Sequence, residues 1–335
     1  MSRKRLLISI GSMFIVLALM VFPVQAQQKS QPINLSWISF VPTTNVLVKN
    51  FQKLFVDRVN ERAKGELVIK FRGGPEVIAA FDQGKAVQQG IVDIALPPVG
   101  FYEALAPGIG GAMLTQVSLE EERRPGGGYD YLVELHKKAG IMYLGRGTHT
   151  DEDYFYLLSN KRVEKPEDFK GLKIGSATVT RAAVKAWGAT LVSIAMPEYY
   201  TSMERGLVDA LSSAPISAWY SQGVYQVTKY VIDNPYYQST ATVIMNLKKW
   251  DSLPPHLQKL MMEIQIQYEK DYADADNKDR ARLKQKAKEA GVEIYKLAPD
   301  VAKWFIDTAY KAAWEYQMER FPKETPKLRE LLTKK

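Results

Sequence analysis

The stretch INLSWISFVPTTNVLVKNFQKLFVDRVNERAKGELVIKF, residues 33–71, predicts the first folding unit of the chain. Residues 33–40 alternate apolar and polar side chains with a period of two, as a half-buried strand does. Residues 46–62 repeat apolar side chains at helical spacing, and Gly65 follows as a helix stop. Residues 66–71 return to a strand pattern. The stretch is therefore predicted to form a strand–helix–strand unit.

The alternation of strands and helices continues downstream. GGPE at residues 73–76 predicts the start of a second helix that ends before Gly90, and residues 91–96 predict a buried strand. Later strand patterns occur at residues 141–145, 154–158, 172–174, 190–194, 208–212, 241–245 and 292–295, and helix patterns at 180–187, 197–205 and 302–321. Such repetition implies a parallel sheet with helices on its faces.

The carboxyl-terminal third has a different texture. Residues 255–290 carry apolar side chains at helical spacing on one face and charges on the other, which predicts a very long amphipathic helix closed by Gly291. Residues 323–335 are strongly charged, and they are predicted to fray.

The amino-terminal 26 residues have the layout of a secretory signal peptide. Three basic residues precede an apolar run at residues 6–22, and the sequence VQA ends at Ala26. The run is slightly short for a membrane span, which needs about 20 residues. The mature chain is therefore predicted to begin near Gln27 and to work outside the cytoplasm, the alternative being an uncleaved anchor.

Composition narrows the possible functions further. The 335-residue chain contains no cysteine, which excludes disulfides, zinc–thiolate sites and cysteine nucleophiles. The formal charge falls from +8 to +5 without residues 1–26, because these hold three basic and no acidic residues. The basic residues are scattered without interleaved aromatics, so no nucleic-acid surface is predicted. No other stretch is long and apolar enough for a membrane span, and the mature length suits two domains.

A search for catalytic motifs finds little. The three histidines, His136, His149 and His256, accompany no G-x-S-x-G elbow, so no hydrolase site is predicted. HTDED at residues 149–153 is interpreted as a solvated or capping loop or, alternatively, as a cation site that lacks the EF-hand pattern. No cofactor and no metal site are predicted. The residues left describe an exported two-domain α/β protein, whose economical use is to close two lobes around a small solute.

Several segments resemble one family of exported receptors. PEDFKGLKI at residues 166–174 resembles the PEDLKGLKIR signature of the solute-binding proteins of TRAP (tripartite ATP-independent periplasmic) transporters. ATLVSIAMPEYYTSMERGLVD at residues 189–209 resembles a second conserved block of that family. AVQQGIVDIA at residues 86–95 and WDSLPP at 250–255 also fit, and the segments occur in the family's order across nearly the whole mature chain.

The resemblance implies a two-lobed periplasmic-binding-protein fold of the type II kind. Each lobe would be a mixed α/β sheet flanked by helices, and the long helix would span both. Lobe I would comprise residues 32–150 and 240–275, and lobe II residues 151–238 and 276–321. Residues 322–335 would form a flexible carboxyl-terminal tail.

One departure from the family concerns the carboxylate clamp. The family usually has an arginine after GLKI, whose planar fork can bind a carboxylate with two parallel hydrogen bonds. Gly175 stands at that position here, followed by Ser176, and Ser212 and Ser213 replace the family's acid–amide pair. We therefore hypothesise that Arg146 or Arg181 supplies the ligand's cation, the alternative being that both are surface cations.

Other pocket candidates follow from position at strand ends and helix starts. They are Phe40, Thr43, Thr44, Pro98, Tyr102, Thr178, Met196 and Trp219. Thr178 opens the helix after Gly175, where exposed amides could receive an anion. The aromatic residues among them are as readily core residues as ligand contacts.

The resemblance implies a periplasmic receptor that captures a small anionic organic solute and delivers it to the membrane permease subunits of a TRAP transporter. The family couples uptake to an ion gradient, and the receptor catalyses no reaction. No stable membrane insertion is predicted once the signal is cleaved. The alternatives are a sensory binding protein and an exported enzyme that uses His149 or Glu76 as a base.

Overall fold

The first of two mixed sheets has five strands, with β10 antiparallel to its neighbours and the others parallel. The computed structural model describes residues 31–148, 154–176, 180–194, 198–238 and 241–334. At residues 154, 213, 214, 217 and 218 it describes the backbone alone. In spatial order the strands are β2 (Leu67–Gly73), β1 (Ile33–Ile38), β3 (Ile94–Ala95), β10 (Thr242–Asn246) and β4 (Ile141–Arg146).

The second sheet has six strands in the described part of the chain. In spatial order they are β11 (Glu293–Tyr295), β9 (Tyr230–Gln238), β5 (Tyr154–Ser159), β8 (Ala210–Ala214), β6 (Lys173–Ser176) and β7 (Thr190–Ser193). β5 is antiparallel to both of its neighbours, and the remaining pairs are parallel. The parallel pairing that the strand–helix alternation predicts is confirmed for β1 with β2 and β3, but β10 and β5 are antiparallel to their neighbours. The mixed sheets that the resemblance implies are therefore confirmed.

Helices cover both sheets. They are α1 (Val46–Phe51), α2 (Asp57–Arg62), α3 (Gln83–Gln89), α4 (Val99–Tyr102), α5 (Leu119–Glu122), α6 (Gly128–Lys138), α7 (Arg181–Ala186), α8 (Tyr199–Glu204), α9 (Ile216–Ser221), α10 (Leu247–Asp251), α11 (Pro255–Glu289), α12 (Pro299–Arg320) and α13 (Thr325–Leu332). Short 3-10 segments occur at Ala80–Asp82, Ile109–Leu114, Pro166–Phe169 and Val224–Val227.

The first predicted unit is confirmed with one refinement. β1 and β2 pair in parallel from Ile33 opposite Leu67, and the connecting helix packs on them. That helix is α1 and α2 joined through a π-helical turn at Gln52–Val56. Such a turn is a local π-bulge inside a continuous helix.

The predicted helix that starts at residues 73–76 is wrong. In a helix, the carbonyl of Ile78 would accept from the amide of Asp82. Here the amide of Asp82 donates to Ala79 O at 2.8 Å, and the carbonyl of Ile78 accepts from the Gln83 side chain at 3.1 Å. The same Nε2 of Gln83 also donates to Ser39 O at 2.7 Å. This buried amide therefore holds residues 74–82 in turns, and α3 begins only at Gln83.

The long predicted helix is confirmed as α11, whose 35 residues extend about 52 Å. Its first half packs on α2 and β4, and its second half on α9 and β11. It therefore runs along both sheets.

α12 also joins elements of both sheets. It contacts α7 and β9 on the second sheet and the 3-10 segment Ile109–Leu114 beside the first. Trp187 stacks on Phe305 of α12 with ring centroids 4.3 Å apart and donates from Nε1 to its carbonyl at 2.9 Å. This contact fixes α12 to the second sheet. Residues of both sheets and of α12 belong to one buried apolar cluster.

The predicted flexible carboxyl-terminal tail is corrected. Residues 325–332 form α13, and Leu328 and Leu332 are fully buried against α6 and the segment Ile109–Leu114. The spacing of Leu328, Leu331 and Leu332 is the signal that could have revealed this helix, because i, i+3, i+4 leucines line one helical face.

The fold is two-lobed, with one sheet in each lobe, and Pro32–Lys335 form one compact unit. The residue bounds proposed for the lobes stay a prediction. The predicted signal peptide lies outside the described residues. Within the described ranges, no helix combines the length and the apolar composition that a membrane crossing requires.

Candidate functional site

The chain passes between the two sheets twice, both times at the ends of strands. β4 leads through residues 147–153 into β5, and β9 leads through residues 239–241 into β10. Because β10 is antiparallel to both β3 and β4, β4 runs in the same direction as β1, β2 and β3. The carboxyl ends of these four strands therefore lie where the chain crosses. We call this row of strand ends, as distinct from an outermost strand, the crossing edge of the first sheet.

The second sheet also has carboxyl ends at its own crossing edge. β8 and β9 are antiparallel to β5, while β6 and β7 run parallel to β8. The carboxyl ends of β6, β7, β8 and β9 therefore lie where β5 begins. In open α/β sheets, ligands bind outside the carboxyl ends of the strands. The space between the two crossing edges is the candidate ligand site.

Hydrogen bonds join the two crossings beside the first sheet. The amides of Gly147 and Thr148 both donate to Ala241 O, at 2.8 and 3.3 Å. The amide of Ala241 in turn donates to the hydroxyl of Thr148 at 2.9 Å. Pro98 forms an isolated antiparallel bridge with Ala241. This contact places the predicted Pro98 beside the crossing, and its contact with a ligand stays a prediction.

Apolar side chains fill the space beside Gly175 at the crossing edge of the second sheet. A Cβ added to Gly175 would lie 2.4 Å from Cδ1 of Ile194 and 2.9 Å from Cδ2 of Leu211. Such distances are far shorter than van der Waals contacts between carbon atoms. Any side chain at this position therefore requires Ile194 and Leu211 to move.

Three buried hydroxyls form a chain next to Gly175. Thr180 Oγ1 lies 2.6 Å from Ser176 Oγ and 2.8 Å from Ser212 Oγ. The hydroxyl of Tyr236 donates to the carbonyl of Ser212. All three hydroxyl-bearing side chains are fully buried, so the chain ties β6, β8 and the start of α7 together. The predicted ligand contact of Ser176 stays a prediction.

Arg146, predicted as a candidate for the ligand's cation, is paired inside the protein, and its contact with a ligand stays a prediction. Its side chain is 1% exposed, and Nε and Nη2 donate to the two carboxylate oxygens of Glu122 at 3.1 and 2.6 Å. Its Nη1 donates to Ala112 O at 3.0 Å. Burial by itself would lower the pKa of Arg146, but the charge of Glu122 more than offsets this and holds that pKa above its ordinary value. This guanidinium stabilises the interior of the protein.

A second ion pair connects the same region to the long helix. Arg123 donates to both carboxylate oxygens of Glu269 in α11, at 2.8 and 2.6 Å. Oε1 of Glu269 also accepts from the amide of Arg146 at 2.8 Å, and the hydroxyl of Tyr268 donates to Gly147 O at 2.5 Å. α11 therefore holds the last residue of β4 and the first residue of the crossing.

Tyr102 is likewise buried, and its predicted contact with a ligand stays a prediction. The residue is 2% exposed, and its hydroxyl lies 2.9 Å from His136 Nε2 and 2.8 Å from Thr242 Oγ1. Burial raises the pKa of Tyr102 and lowers the pKa of His136 to about 4. Both groups are therefore neutral at pH 7, and Tyr102 belongs to the core beneath β10.

Three phenylalanines gather at the crossing edge of the first sheet, and only Phe40 is among the predicted site residues. Phe81 and Phe101 stack with ring centroids 4.1 Å apart, and Phe40 meets Phe101 edge-on at 6.0 Å. The sequence pattern places Phe81 inside a helix, whereas the structure leaves it exposed. Aromatic residues in the loops that follow β2 and β3 are the signal that could have identified the other two.

The family model for bacterial extracellular solute-binding proteins of family 7, DctP, matches residues 39–320. The chain belongs to this family. The resemblance to TRAP receptors is thereby confirmed, and the two crossings and the long shared helix are the two-lobed architecture that the resemblance implies.

Relatives of this family 7 protein carry more specific names. It is 26% identical over 251 residues to the 2,3-diketo-L-gulonate-binding periplasmic protein YiaO of Escherichia coli K12, covering 72% of this chain and 75% of the relative. It is 31% identical over 174 residues to the C4-dicarboxylate-binding periplasmic protein DctP of Rhodobacter capsulatus, covering 49% and 47%.

A solved structure shares the fold of this family 7 protein. The crystal structure of a TRAP periplasmic solute-binding protein from Sulfitobacter sp. NAS-14.1, with bound β-D-galacturonate, superposes with a TM-score of 0.74 at 19% identity. The alignment covers 89% of this chain and 99% of that chain.

The other predicted site residues of this family 7 protein include both exposed and buried side chains. Thr43 and Thr44 are exposed just after β1, and Trp219 is buried edge-on against Tyr156 at 5.3 Å. Their ligand roles stay predictions. Thr178, Met196 and His149, together with the side chain of Ser213, lie outside the described residues.

Arg181 is placed where a ligand's cation could act. It is exposed, it is the first residue of α7, and it follows Thr180 of the buried hydroxyl chain. Its contact with a ligand carboxylate stays a prediction. Within the described ranges, no group of three histidine, aspartate or glutamate side chains could hold a metal ion, and residues 149–153 lie outside those ranges.

Restoring the family's arginine is expected to destabilise this family 7 protein. Gly175→Arg should lower the free energy of unfolding by about 1–3 kcal/mol, because Ile194 and Leu211 occupy the space that the new side chain needs. Urea unfolding measures the change. Ser193→Arg, at an exposed position of the neighbouring strand β7, is the matched control and should change stability little. A Gly175→Arg variant as stable as the unmodified protein would contradict the conclusion that Ile194 and Leu211 fill this space.

Proposed function

We propose that the protein is the periplasmic receptor of a TRAP transporter and captures a small anionic organic solute between its two lobes. The receptor delivers the closed complex to the membrane permease subunits and leaves the solute chemically unchanged. The signal peptide carries the chain to the periplasm and is then removed. This proposal extends the solute-binding family membership to a substrate class, a partner and a compartment.

The observation that carries the proposal is the pair of opposed crossing edges. Two sheets direct their strand carboxyl ends to one shared space, and two short crossings join them. Hinged lobes of this kind enclose a solute when the crossings bend. The proposed lobes are residues 32–150 with 240–275 and residues 151–238 with 276–321.

The names of the relatives support the anionic class. YiaO is named for 2,3-diketo-L-gulonate, DctP for C4-dicarboxylates, and the Sulfitobacter protein holds β-D-galacturonate. Each of these ligands is an organic acid. The net positive charge of the mature chain supports the same class, because it favours the approach of anions.

Arg181 is the proposed partner of the ligand's carboxylate. In a thermal-shift screen of small organic acids, a ligand at 100 times its dissociation constant should stabilise the protein by about 2.7 kcal/mol. Arg181→Gln is expected to weaken the best ligand about tenfold or more, because a charge-assisted hydrogen bond is lost. Calorimetric titration measures the change in dissociation constant.

Lys185→Gln is the matched control, since Lys185 is also exposed on α7 but one turn further from the crossing edge. Its affinity should equal that of the unmodified protein. Equal loss of affinity in both variants would mean that general charge, and not Arg181, attracts the ligand. If no organic acid shifts the melting temperature, the anionic class itself is refuted.

A further inference from the structure

An aromatic surface lies at the crossing edge of the first sheet. It consists of Phe40, Phe81 and Phe101, which we call the phenylalanine cluster. Phe40 lies two residues after the end of β1, Phe81 lies in the 3-10 segment after β2, and Phe101 lies in α4 after β3. Three carboxyl-terminal loops therefore contribute one ring each to the candidate ligand site.

Hydrogen bonds hold the loops of the phenylalanine cluster in place. The buried side chain of Gln83 donates to Ser39 O and to Ile78 O, so it connects the loop of Phe40 to the loop of Phe81. The amide of Gly74 donates to Glu76 Oε1 at 2.6 Å within the second loop. Prearranged rings lose little conformational freedom when a ligand binds.

The cluster is partly exposed, since Phe40 and Phe101 are half-buried and Phe81 is exposed. Phe81 is 65% exposed while one face stacks on Phe101, and the nearby Val77 is 44% exposed. A group of exposed large apolar side chains commonly marks a binding surface. A planar ring of a ligand can extend this stack, because aromatic pairs prefer offset-stacked or edge-on contacts.

The opposite crossing edge is apolar at its centre. Ile194, which is partly exposed, and Leu211 fill the space beside Gly175. Leu211 is fully buried, so the hydrocarbon surfaces at the two crossing edges are the phenylalanine cluster and Ile194. An uncharged ring suits such surfaces better than a second carboxylate, because burying an unpaired charge is costly.

Charges on the two edges orient such a ligand. Glu76 and Asp82 are exposed beside the phenylalanine cluster, and the backbone hydrogen bond from Gly74 lowers the pKa of Glu76. These carboxylates repel a ligand's carboxylate. Arg181 lies at the other crossing edge, so the anionic end points towards the second sheet.

We propose that the phenylalanine cluster is the subsite for the ring of an aromatic carboxylate, and that this class of acid is the preferred ligand. The inference rests on the proposed function, since it names the substrate class of the same site. It assigns the ring to the first sheet and the carboxylate to the second.

The first test compares three acids by calorimetric titration of the mature protein. Benzoate and cyclohexanecarboxylate carry the same charge on rings of similar size, but only the former is planar and aromatic. Succinate is the open-chain comparison. Benzoate should bind about three- to tenfold more tightly than cyclohexanecarboxylate, and succinate should bind more weakly than either.

The second test changes the cluster. Phe81→Ala and Phe81→Leu should each weaken benzoate binding about three- to tenfold while leaving cyclohexanecarboxylate less affected. Ile91→Ala is the matched control, because Ile91 is 55% exposed but precedes β3 and so lies at the opposite edge of the same sheet. Phe81 is exposed, so its replacement should leave the melting temperature unchanged.

The outcomes separate this inference from the proposed function. If succinate binds as tightly as benzoate, or Phe81→Ala leaves benzoate binding unchanged, the aromatic subsite is refuted while an organic-acid receptor stands. If neither these three acids nor the wider panel of organic acids binds, the proposed function fails as well. If Phe81→Ala abolishes uptake by the intact transporter without altering benzoate affinity, the cluster contacts the permease and the inference is overturned.

Discussion

Replacing Arg146 with methionine is expected to lower the free energy of unfolding by about 3–5 kcal/mol. The replacement leaves the carboxylate of Glu122 buried at 2% exposure without its bidentate partner, and leaves Ala112 O without the Nη1 donor. Removing one member of a buried ion pair strands the other charge in a medium that solvates it poorly. Urea unfolding followed by circular dichroism measures the change.

Two further variants test the cause. Arg124→Met removes a neighbouring arginine that is exposed, and it should change stability by less than about 0.5 kcal/mol. The double variant Arg146→Met with Glu122→Leu removes both charges and should recover much of the loss. A single Arg146→Met variant as stable as the unmodified protein would show that the guanidinium is not a structural group. That result would favour the ligand-cation hypothesis for Arg146.

Replacing Leu328 with alanine is expected to destabilise the protein by about 2–5 kcal/mol. Leu328 is fully buried in α13, where it packs near Gly111 and Trp314. Truncation leaves a cavity whose lining loses its contacts, and the cost depends on how far the neighbouring side chains relax. Thermal and urea unfolding both report the loss.

Glu330→Ala is the control within the same helix, because Glu330 is exposed and its replacement should be nearly neutral. A chain shortened after residue 322 should lose at least as much stability as Leu328→Ala. A shortened chain of unchanged stability would restore the flexible tail that the charge pattern predicts.

The end of β4 connects the candidate site to the interior of the protein. Arg146 ends β4 beside the crossing, yet its charge is used inside the first lobe, and Glu269 of α11 accepts from its amide. The crossing is therefore attached to a helix that extends along both sheets. Arg181, which is exposed at the start of α7, is therefore the cation proposed here for a ligand's carboxylate.

Local periodicity predicted most elements, because the residues that decide it are neighbours in the chain. The unit at residues 33–71 and the helix α11 follow from periods of two and of about 3.6. β9 was not predicted, since Pro235 interrupts its pattern. The pairing of β9 with β5 is irregular there, and a proline without an amide hydrogen is tolerated at such a point.

The site itself was only partly predictable. Gly175 could be recognised as a departure from the family pattern, but nothing near it in sequence indicates that Ile194 and Leu211 fill the space. Arg146 follows a strand of ordinary composition, and its partner Glu122 precedes it by 24 residues on another helix. Phe81 has helical spacing with its apolar neighbours, whereas Gln83 holds that segment in turns.

The amino-acid sequence alone determined the class of the molecule: a cysteine-free α/β protein with the long helix and the segment order of a solute-binding receptor. These properties depend on composition, on short-range periodicity and on the order of segments, all of which can be counted along the chain. Tertiary structure alone decided which charges are paired inside the protein, which phenylalanines come together after the strands of the first sheet, and that the carboxyl-terminal helix packs on the core. Those outcomes depend on which side chains, distant in sequence, come within contact distance, because burial and charge pairing are properties of the folded neighbourhood of a residue.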